Sequence, residues 1–264
     1  MAADRFLRAF DDAARDFERL GDHLWKPIGR ATADRTAPAP GERVLDACCG
    51  TGASAIPAAE RVGGGGHVDA IDLSEPLIRE LTRLAAGLPQ LHPRAADATT
   101  WPGTGYDVLQ VVLGIFFLPD MAAGTAYLIG RLRPGGRAGL TIWRRGAVEV
   151  AGRHLSAAVT RVTGTEIPRR PTGPLEHINE AATYRPWLEQ RGLTGVEVVT
   201  HELTLHLTPE LAWLLVTGSG YVAALTGLTP EQVDAVRETY LDSLSRDGVD
   251  ELDATTLIGL GSRP

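Results

Sequence analysis

Two acidic residues and a glycine-bearing turn are the part of this chain whose residue types and spacing point to chemistry. Residues 44–52 read Val-Leu-Asp-Ala-Cys-Cys-Gly-Thr-Gly, so an apolar run leads into an acid and then into a turn that can open a helix. A second apolar run ends in another acid, Asp72. This order of strand, glycine turn, helix, strand and acid is typical of a βαβ unit that binds a nucleotide.

The turn differs from the dinucleotide version, G-x-G-x-x-G, because it reads D-x-C-x-G-x-G. Asp46, the extra carboxylate, suits a cation such as an ammonium or a sulfonium better than a phosphate. Asp72 can accept hydrogen bonds from ribose hydroxyls. An adenosine-like ligand with a positively charged tail is therefore predicted, and S-adenosylmethionine has these features. The alternative is an ordinary strand, turn and helix in which the acids cap helices or lie at the surface.

Composition narrows the class of protein. A chain of 264 residues, 44% of them hydrophobic, can form one large domain or a domain with a cap. The net charge of −7 argues against nucleic acid as a partner. The sequence shows no membrane-spanning stretch and no apolar leader. Cys48 and Cys49 are adjacent and lack metal-ligand spacing, so we expect no disulfide framework, no metal and a cytoplasmic setting.

Hydrophobic periodicity predicts an α/β fold. Helical spacing of Phe6, Phe10, Phe17, Leu20 and Leu24 indicates one or two amphipathic helices in residues 3–33. Beyond them, strands and helices alternate, which favours a doubly wound, mostly parallel seven-stranded sheet. The strands are expected at residues 42–46, 67–71, 91–95, 107–113, 137–143, 195–207 and 254–262. The helices are expected at residues 52–62, 74–86, 119–132, 181–191 and 209–246.

The chain is expected to form one domain, 1–264, with helical cap insertions that fold over the strand ends. We expect an N-terminal cap at 1–37 and a cofactor-binding core at 38–143. Insertions at 144–180, which includes a Pro/Gly-rich stretch at Pro168–Pro174, and at 209–250 interrupt the pattern. Residues 181–208 and 251–264 are expected to return to the core.

Several segments together resemble class I S-adenosylmethionine-dependent methyltransferases. Residues 44–52 are similar to the first motif of that family, and Asp72 and Asp97 to its acids after the second and third strands. Residues 107–120 resemble its fourth-strand segment, and residues 131–136, Arg-Leu-Arg-Pro-Gly-Gly, its turn before the fifth strand. The resemblance is nearest to the ubiquinone/menaquinone-type enzymes and to the small-molecule methyltransferases of actinobacterial secondary metabolism.

This chain departs from the family pattern at two places. Cys48 stands where the family usually has its first glycine, and we expect a small residue to suffice there. Phe116-Phe117 replaces a histidine pair found in many relatives, which removes one polar group near the methyl.

The resemblance implies a role for each matched residue. Asp46 orients the methionine part of the cofactor, Asp72 binds the ribose, Leu73 lies against the adenine, and Asp97 accepts from the adenine amino group. Backbone near Leu113 and Gly114 meets the methionine end. The full set expected at the cofactor is Asp46, Cys48, Gly50, Thr51, Gly52, Asp72, Leu73, Ala96, Asp97, Ala98, Leu113 and Gly114.

The implied reaction is an in-line displacement at the sulfonium methyl, with S-adenosylhomocysteine as product, so the protein mainly supplies orientation and desolvation. An oxygen or carbon nucleophile often needs a general base, and histidine is the natural choice near neutral pH. His23, His154 and His177 are the candidates, each with surface or structural hydrogen bonding as its alternative. His201 and His206 rank lower because their strand is expected to face the core or solvent.

Aromatic residues in the expected caps and strand ends predict an apolar pocket for a hydrophobic or aromatic acceptor. Core packing is the alternative for each one singly. Residues 213–221, which contain two glycines, are the candidate lid. The aromatic candidates are Trp25, Phe116, Phe117, Trp143, Trp187, Trp213 and Tyr221.

The function predicted is O-, N- or C-methylation of a small molecule in specialised metabolism by a monomer or homodimer. Two alternatives remain open from the sequence. One is a protein of the same fold that binds S-adenosylmethionine and catalyses cyclisation. The other is a methyltransferase that acts on a peptide.

Overall fold

The computed structural model describes residues 14–165 and 173–264. The predicted N-terminal helices lie partly outside this range, with Phe6 and Phe10, as does most of the stretch Pro168–Pro174. The described residues form two compact units. We call residues 25–145, 173–201 and 256–264 the sheet unit, and residues 14–24, 146–165 and 202–255 the helical unit.

The sheet unit contains a seven-stranded sheet in the order β3-β2-β1-β4-β5-β9-β6. Strands β1 to β5 are parallel, and β9 is antiparallel to both β5 and β6. The predicted fold class, a doubly wound and mostly parallel seven-stranded sheet, is confirmed. The strands are β1 (Arg43–Ala47), β2 (His67–Asp72), β3 (Leu91–Ala95), β4 (Tyr106–Val112), β5 (Leu132–Trp143), β6 (Thr194–His201) and β9 (Thr256–Ser262).

Helices cover both faces of this sheet, so its central strands are apolar on both sides. One cluster packs Leu45 and Leu109 against residues of α5 and α7, and the other packs Val44 and Val108 against residues of α3 and α4. A Cβ added at Gly139 of β5 would overlap Thr36 of α2, so α2 packs on the same face of the sheet as α3 and α4. These helices are α2 (Trp25–Thr36), α3 (Ala55–Val62), α4 (Glu75–Leu84), α5 (Met121–Ile129) and α7 (Ala181–Glu189).

Helix and strand ends differ from the predictions by a few residues, and side-chain caps explain some of them. Ser74 caps α4 as expected, but this helix ends at Leu84 rather than near Gly87. Asp120 caps α5 by accepting from Ala122 N and Ala123 N. Helix α5 ends at Ile129 because Leu132 already pairs with Tyr106, so β5 begins ahead of the Pro-Gly-Gly turn and contains it.

The predicted strand at 195–207 is wrong as a single element. The structure divides it into β6 (Thr194–His201) and β7 (Thr204–His206), and β7 pairs with β8 (Glu251–Asp253) in the helical unit. Leu203 O accepts a hydrogen bond from Ala254 N, which holds this new pairing. Three consecutive polar residues, Thr200 to Glu202, lie at the break, and alternation resumes in residues 203–207, so the segment was predicted as one strand although its partner changes there.

The helical unit packs around Tyr240 and neighbouring aliphatic side chains of α6, α8 and α9. Thr208 caps α8, and Thr229 forms a capping box with Gln232 at the start of α9. None of the helices in the described ranges is long and apolar enough to cross a membrane. The helices of this unit are α1 (Ala14–Gly21), α6 (Glu149–Thr163), α8 (Pro209–Thr217) and α9 (Pro230–Arg246).

Candidate functional site

The carboxyl ends of β1, β2, β3 and β4 meet at one edge of the sheet, where open α/β sheets bind ligands. All twelve residues predicted at the cofactor lie in the sheet unit, at or just beyond these four strand ends. Five of them, from Asp46 to Gly52, belong to β1 and its turn. Two follow β2, three follow β3, and Leu113 and Gly114 follow β4.

The turn after β1 is tied to the neighbouring strand and to its own helix. Cys49 N donates to Ile71 O at 3.1 Å, and Ile56 N donates to Gly52 O at 3.0 Å. Gly50 and Gly52 have φ values of 54° and 92°, which favour glycine. A Cβ at Gly52 would also overlap Leu81. Glycine is therefore required at 52 for its backbone and for its packing.

Cys48 also has a left-handed backbone, with φ at 58°. It is the position where the resembled family usually has glycine, and this φ gives the physical reason for that preference. A cysteine there carries strain of about 1 kcal/mol or more. Leu113, at the end of the neighbouring strand β4, has φ at 52°, so two side chains with strained backbones stand at this edge.

Asp46 is completely buried, and neither of its carboxylate oxygens accepts a hydrogen bond from a described residue. Burial raises the pKa of Asp46 to about 7; the Ser54 hydroxyl opposes this increase and the charge of Asp72 adds to it. The Ser54 hydroxyl lowers the pKa of Asp46, although it forms no hydrogen bond of normal geometry with either carboxylate oxygen. A buried carboxylate without a partner is costly, and a cation beside it would remove much of that cost.

Asp72 is held in a fixed orientation by the two turns that it joins. One carboxylate oxygen, Oδ2, accepts from Gly50 N at 3.0 Å, and Oδ1 accepts from Ser74 N at 2.9 Å. These two backbone donors therefore fix the direction of the Asp72 carboxylate at the carboxyl end of β2.

Leu73 and Asp97 complete the edge beside Asp72. Leu73 is 57% exposed, an unusual state for a large apolar side chain next to a buried strand. Asp97 is half-buried, and its Oδ1 accepts from both N and Oγ1 of Thr99 at 2.7 Å. The alternative for Asp97 was a helix-capping acid, but these bonds close a turn between Asp97 and Thr99 rather than cap a helix, and Oδ2 takes no part in them. Ala96 and Ala98 flank it, and Ala96 N donates to Asp72 O at 2.9 Å.

The thiols at this edge are poor nucleophiles. Burial and the charges of Asp72 and Asp46 raise the pKa of both Cys48 and Cys49 far above the usual thiol range. Both cysteines are free. Since the thiolate is the reactive form, the geometry favours a packing role for both side chains.

The three candidate histidines do not come together. His23 and His177 are exposed, the first between α1 and α2 in the helical unit and the second in the sheet unit. His154 joins α6 to α9, because its Nδ1 lies 2.8 Å from Ser243 Oγ and its Nε2 lies 3.8 Å from Asp247 Oδ2. Ser243 already donates its proton to Tyr240 O, so this trio is not an activated serine.

The candidate aromatic residues fall into two groups, one in the sheet unit and one in the helical unit. Trp25 and Trp143, with ring centroids 6.5 Å apart, lie on the α2 face of the sheet, and Phe116 and Phe117 follow β4. Trp213 packs on Tyr240, and Tyr221 donates to Val148 O, so both stabilise the helical unit. Trp187 packs on Tyr184 and beneath Arg191. Arg145, just past β5, pairs with Glu180 at 3.1 Å.

Sequence reasoning ranked one polar residue at this edge, His201, low and missed another, Thr256. His201 ends β6, and Thr256 begins β9 directly opposite it. Each has a buried side-chain atom, Nε2 and Oγ1 respectively, with no hydrogen-bond partner among the described residues. The direction of β6 could have identified them. Because β6 runs parallel to β5, the last residue of β6 lies at the same edge of the sheet as the glycine turn.

Comparison with known proteins identifies the family of this chain. A family described as a methyltransferase domain matches residues 44–136. An aklanonic acid methyltransferase of Streptomyces sp. strain C5 is 31% identical over 69% of this chain and 84% of its own length. A nocamycin O-methyltransferase of Saccharothrix syringae is 38% identical over 50% of this chain and 49% of its own.

Among solved structures, the YcgJ protein of Bacillus subtilis shares the fold, with a TM-score of 0.59 and 12% identity over 89% of this chain and 97% of its own. Fold, site and relatives together define a Rossmann-like enzyme that takes its methyl group from S-adenosylmethionine. This chain therefore belongs to the S-adenosylmethionine-dependent methyltransferases.

Proposed function

We propose that this chain methylates an oxygen of a small aromatic acceptor in specialised metabolism. The observation that carries the proposal is the pairing at one sheet edge of a buried, unpartnered carboxylate, Asp46, with an anchored one, Asp72. The names of the two relatives, an aklanonic acid methyltransferase and a nocamycin O-methyltransferase, support a small-molecule acceptor, and the second name supports O-methylation.

The residues at this edge fit S-adenosylmethionine, which supplies an activated methyl group on a sulfonium when bound. Asp46 would hold the cationic methionine end, because its oxygens lack any other described partner. Asp72 would accept from the ribose hydroxyls in the orientation that Gly50 N and Ser74 N give it. Leu73 would cover the adenine with its exposed side chain.

The main contribution of this chain to the reaction is orientation and exclusion of water. Ionised Asp46 would fix the position of the positive charge, and the strained turns at Cys48 and Leu113 hold backbone close to it. Because the bound cofactor would supply the activated methyl group directly to the acceptor, no protein group needs to form a covalent bond.

The acceptor is proposed to bind against aromatic side chains of the sheet unit. Trp25 and Trp143 are half-buried and in contact range of each other, while Phe117 keeps 36% of its surface exposed. Flat apolar surfaces of this kind favour a flat apolar acceptor. Deprotonation by His23, His154 or His177 stays a prediction; of these, His154 has both ring nitrogens near other groups.

The proposed setting is the cytoplasm, where two free cysteines remain reduced, and the proposed state is a monomer or homodimer. A direct test is to incubate the protein with S-adenosylmethionine and hydroxylated naphthalenes and anthraquinones, with single-ring phenols as controls. Release of S-adenosylhomocysteine together with an O-methylated ring product is expected. Methylation of peptides, or cyclised products without S-adenosylhomocysteine, would contradict the proposal.

A further inference from the structure

We propose that His201 and Thr256 form a hydrogen-bonding subsite for an oxygen at the far end of a polycyclic acceptor. This inference rests on the proposed function, because it identifies where the acceptor's second polar group binds.

The subsite belongs to a row of residues across three strands. Trp143 of β5 pairs directly with Thr256 of β9, and Thr256 pairs directly with His201 of β6. Directly opposed residues of antiparallel strands project from the same face of a sheet. The three side chains therefore form one line, on the face where Trp25 packs near Trp143.

This row begins beside the candidate cofactor site. Leu113 is expected to lie near the methionine part of the cofactor. Its N–H donates to Thr141 O at 2.9 Å. Thr141 lies two residues before Trp143 on β5, so the end of β4 borders the start of the row. An acceptor that lies along the row thus has one end at the cofactor and the other at His201.

Two buried polar atoms at the far end lack partners. Thr256 is fully buried, and neither its Oγ1 nor Nε2 of His201 has a hydrogen-bond partner among the described residues. Burial and the charge of Arg35 lower the pKa of His201, which leaves a neutral ring that can donate or accept. Buried polar atoms are normally satisfied, so the unpaired hydroxyl and the unpaired imidazole nitrogen on these directly opposed residues are two partners for an oxygen of a bound molecule.

The spacing of the strands sets the size of the acceptor. From Leu113 at the end of β4 to His201 in β6 there are three strand spacings of about 4.8 Å, roughly 14 Å in total. A single ring is too short to connect these two positions. Two or three fused rings with an oxygen at each end have the appropriate length.

The test compares two probes that differ only in the distal oxygen, 2,6-dihydroxyanthraquinone and 2-hydroxyanthraquinone. Binding of each to the whole protein loaded with S-adenosylhomocysteine is measured by calorimetry, so no turnover is needed. Wild type is expected to bind the dihydroxy probe about tenfold more tightly, the effect of about one good hydrogen bond. In Thr256→Val and His201→Phe this preference should disappear, while affinity for 2-hydroxyanthraquinone changes less than about threefold.

The matched control is Thr255→Val, which removes a neighbouring buried hydroxyl outside the row. It should keep the full preference for the dihydroxy probe, and unchanged affinity for S-adenosylhomocysteine confirms that each variant is folded. Equal binding of both probes to wild type, or an unchanged preference in both variants, overturns the subsite. If neither probe binds while S-adenosylhomocysteine does, the polycyclic acceptor is wrong, and the proposed function then depends on the smaller acceptors.

Discussion

Cys48 and Gly114 pack directly against each other at the edge of the sheet. A Cβ at position 114 would lie 2.5 Å from Cβ and 2.9 Å from Sγ of Cys48. The two residues follow neighbouring strands, β1 and β4, so their contact determines how closely the two strand ends approach. The side chain that replaces the family's usual glycine at 48 thus requires a glycine at 114.

Gly114→Ala should weaken S-adenosylhomocysteine binding about tenfold or more and lower the free energy of unfolding by about 1–3 kcal/mol, because the new methyl group overlaps Cys48. The double variant Cys48→Gly/Gly114→Ala should recover most of both losses, since it removes the side chain that is overlapped. Calorimetry and urea unfolding measure the two effects. Additive losses in the double variant would show that these residues do not constrain each other.

Asp46→Asn should stabilise the ligand-free protein above pH 7. The pKa of Asp46, about 7, lies above its ordinary value of 3.8. The folded protein therefore keeps a proton that the unfolded chain releases, and the free energy of unfolding falls as the pH rises through this window. Asparagine does not titrate, so the variant keeps the free energy of unfolding that wild type loses, about 1–4 kcal/mol at pH 8.

The same variant should bind S-adenosylmethionine at least about tenfold more weakly at pH 8, because it lacks the charge that pairs with the cation. Wild-type affinity should fall below pH 7 as Asp46 becomes protonated. Asp69→Asn is the control, since Asp69 is also buried but accepts from Tyr106 at 2.7 Å, and its loss should destabilise the protein. Destabilisation by Asp46→Asn at pH 8 would contradict the account.

Leu73→Ser should reduce affinity for S-adenosylhomocysteine about five- to tenfold without destabilising the protein. Its side chain is 57% exposed, so the folded protein gains little from it, whereas an adenine ring would cover it. Leu77→Ser, a change at a buried position of α4, should have the opposite profile and mainly lower stability. Thermal unfolding and calorimetry separate the two, and an unchanged affinity in Leu73→Ser would remove Leu73 from the site.

Alkylation of the cysteines should be slow in the folded protein. Burial and nearby carboxylates raise the pKa of both thiols, so iodoacetamide at pH 8 should label the folded chain at least about a hundredfold more slowly than the chain in urea. Mass spectrometry counts the labels. Rapid labelling of Cys48 in the folded chain would instead indicate an accessible thiolate.

The sequence could predict the parts of the site that depend on local order along the chain. Asp46, the glycines and Asp72 each follow a recognisable strand end, so the motif alone places them together. The left-handed backbone at Cys48 was signalled only indirectly, by the glycine that relatives have there. The lack of partners around Asp46 depends on packing in three dimensions, and no sequence pattern encodes it.

Contacts between distant segments could not be predicted in the same way. His154 and Ser243 are 89 residues apart, so the hydrogen bond that places His154 between two helices has no local signal. The break after His201 was missed because the three polar residues 200–202 were taken as part of one strand, and the change of pairing partner depends on contacts with distant strands. Consequently His201 was ranked low, although the parallel direction of β6 brings it to the functional edge of the sheet.

The most direct test of the central claim is calorimetric titration of S-adenosylhomocysteine into wild type, Asp72→Ala and Glu75→Ala. Glu75 is a nearby surface carboxylate whose side chain is 75% exposed, so its removal controls for general charge. One site per chain is predicted in wild type and Glu75→Ala, with affinity at least about tenfold weaker in Asp72→Ala because two charge-assisted hydrogen bonds are lost. Equal affinity in all three proteins, or no binding to wild type, would contradict the account.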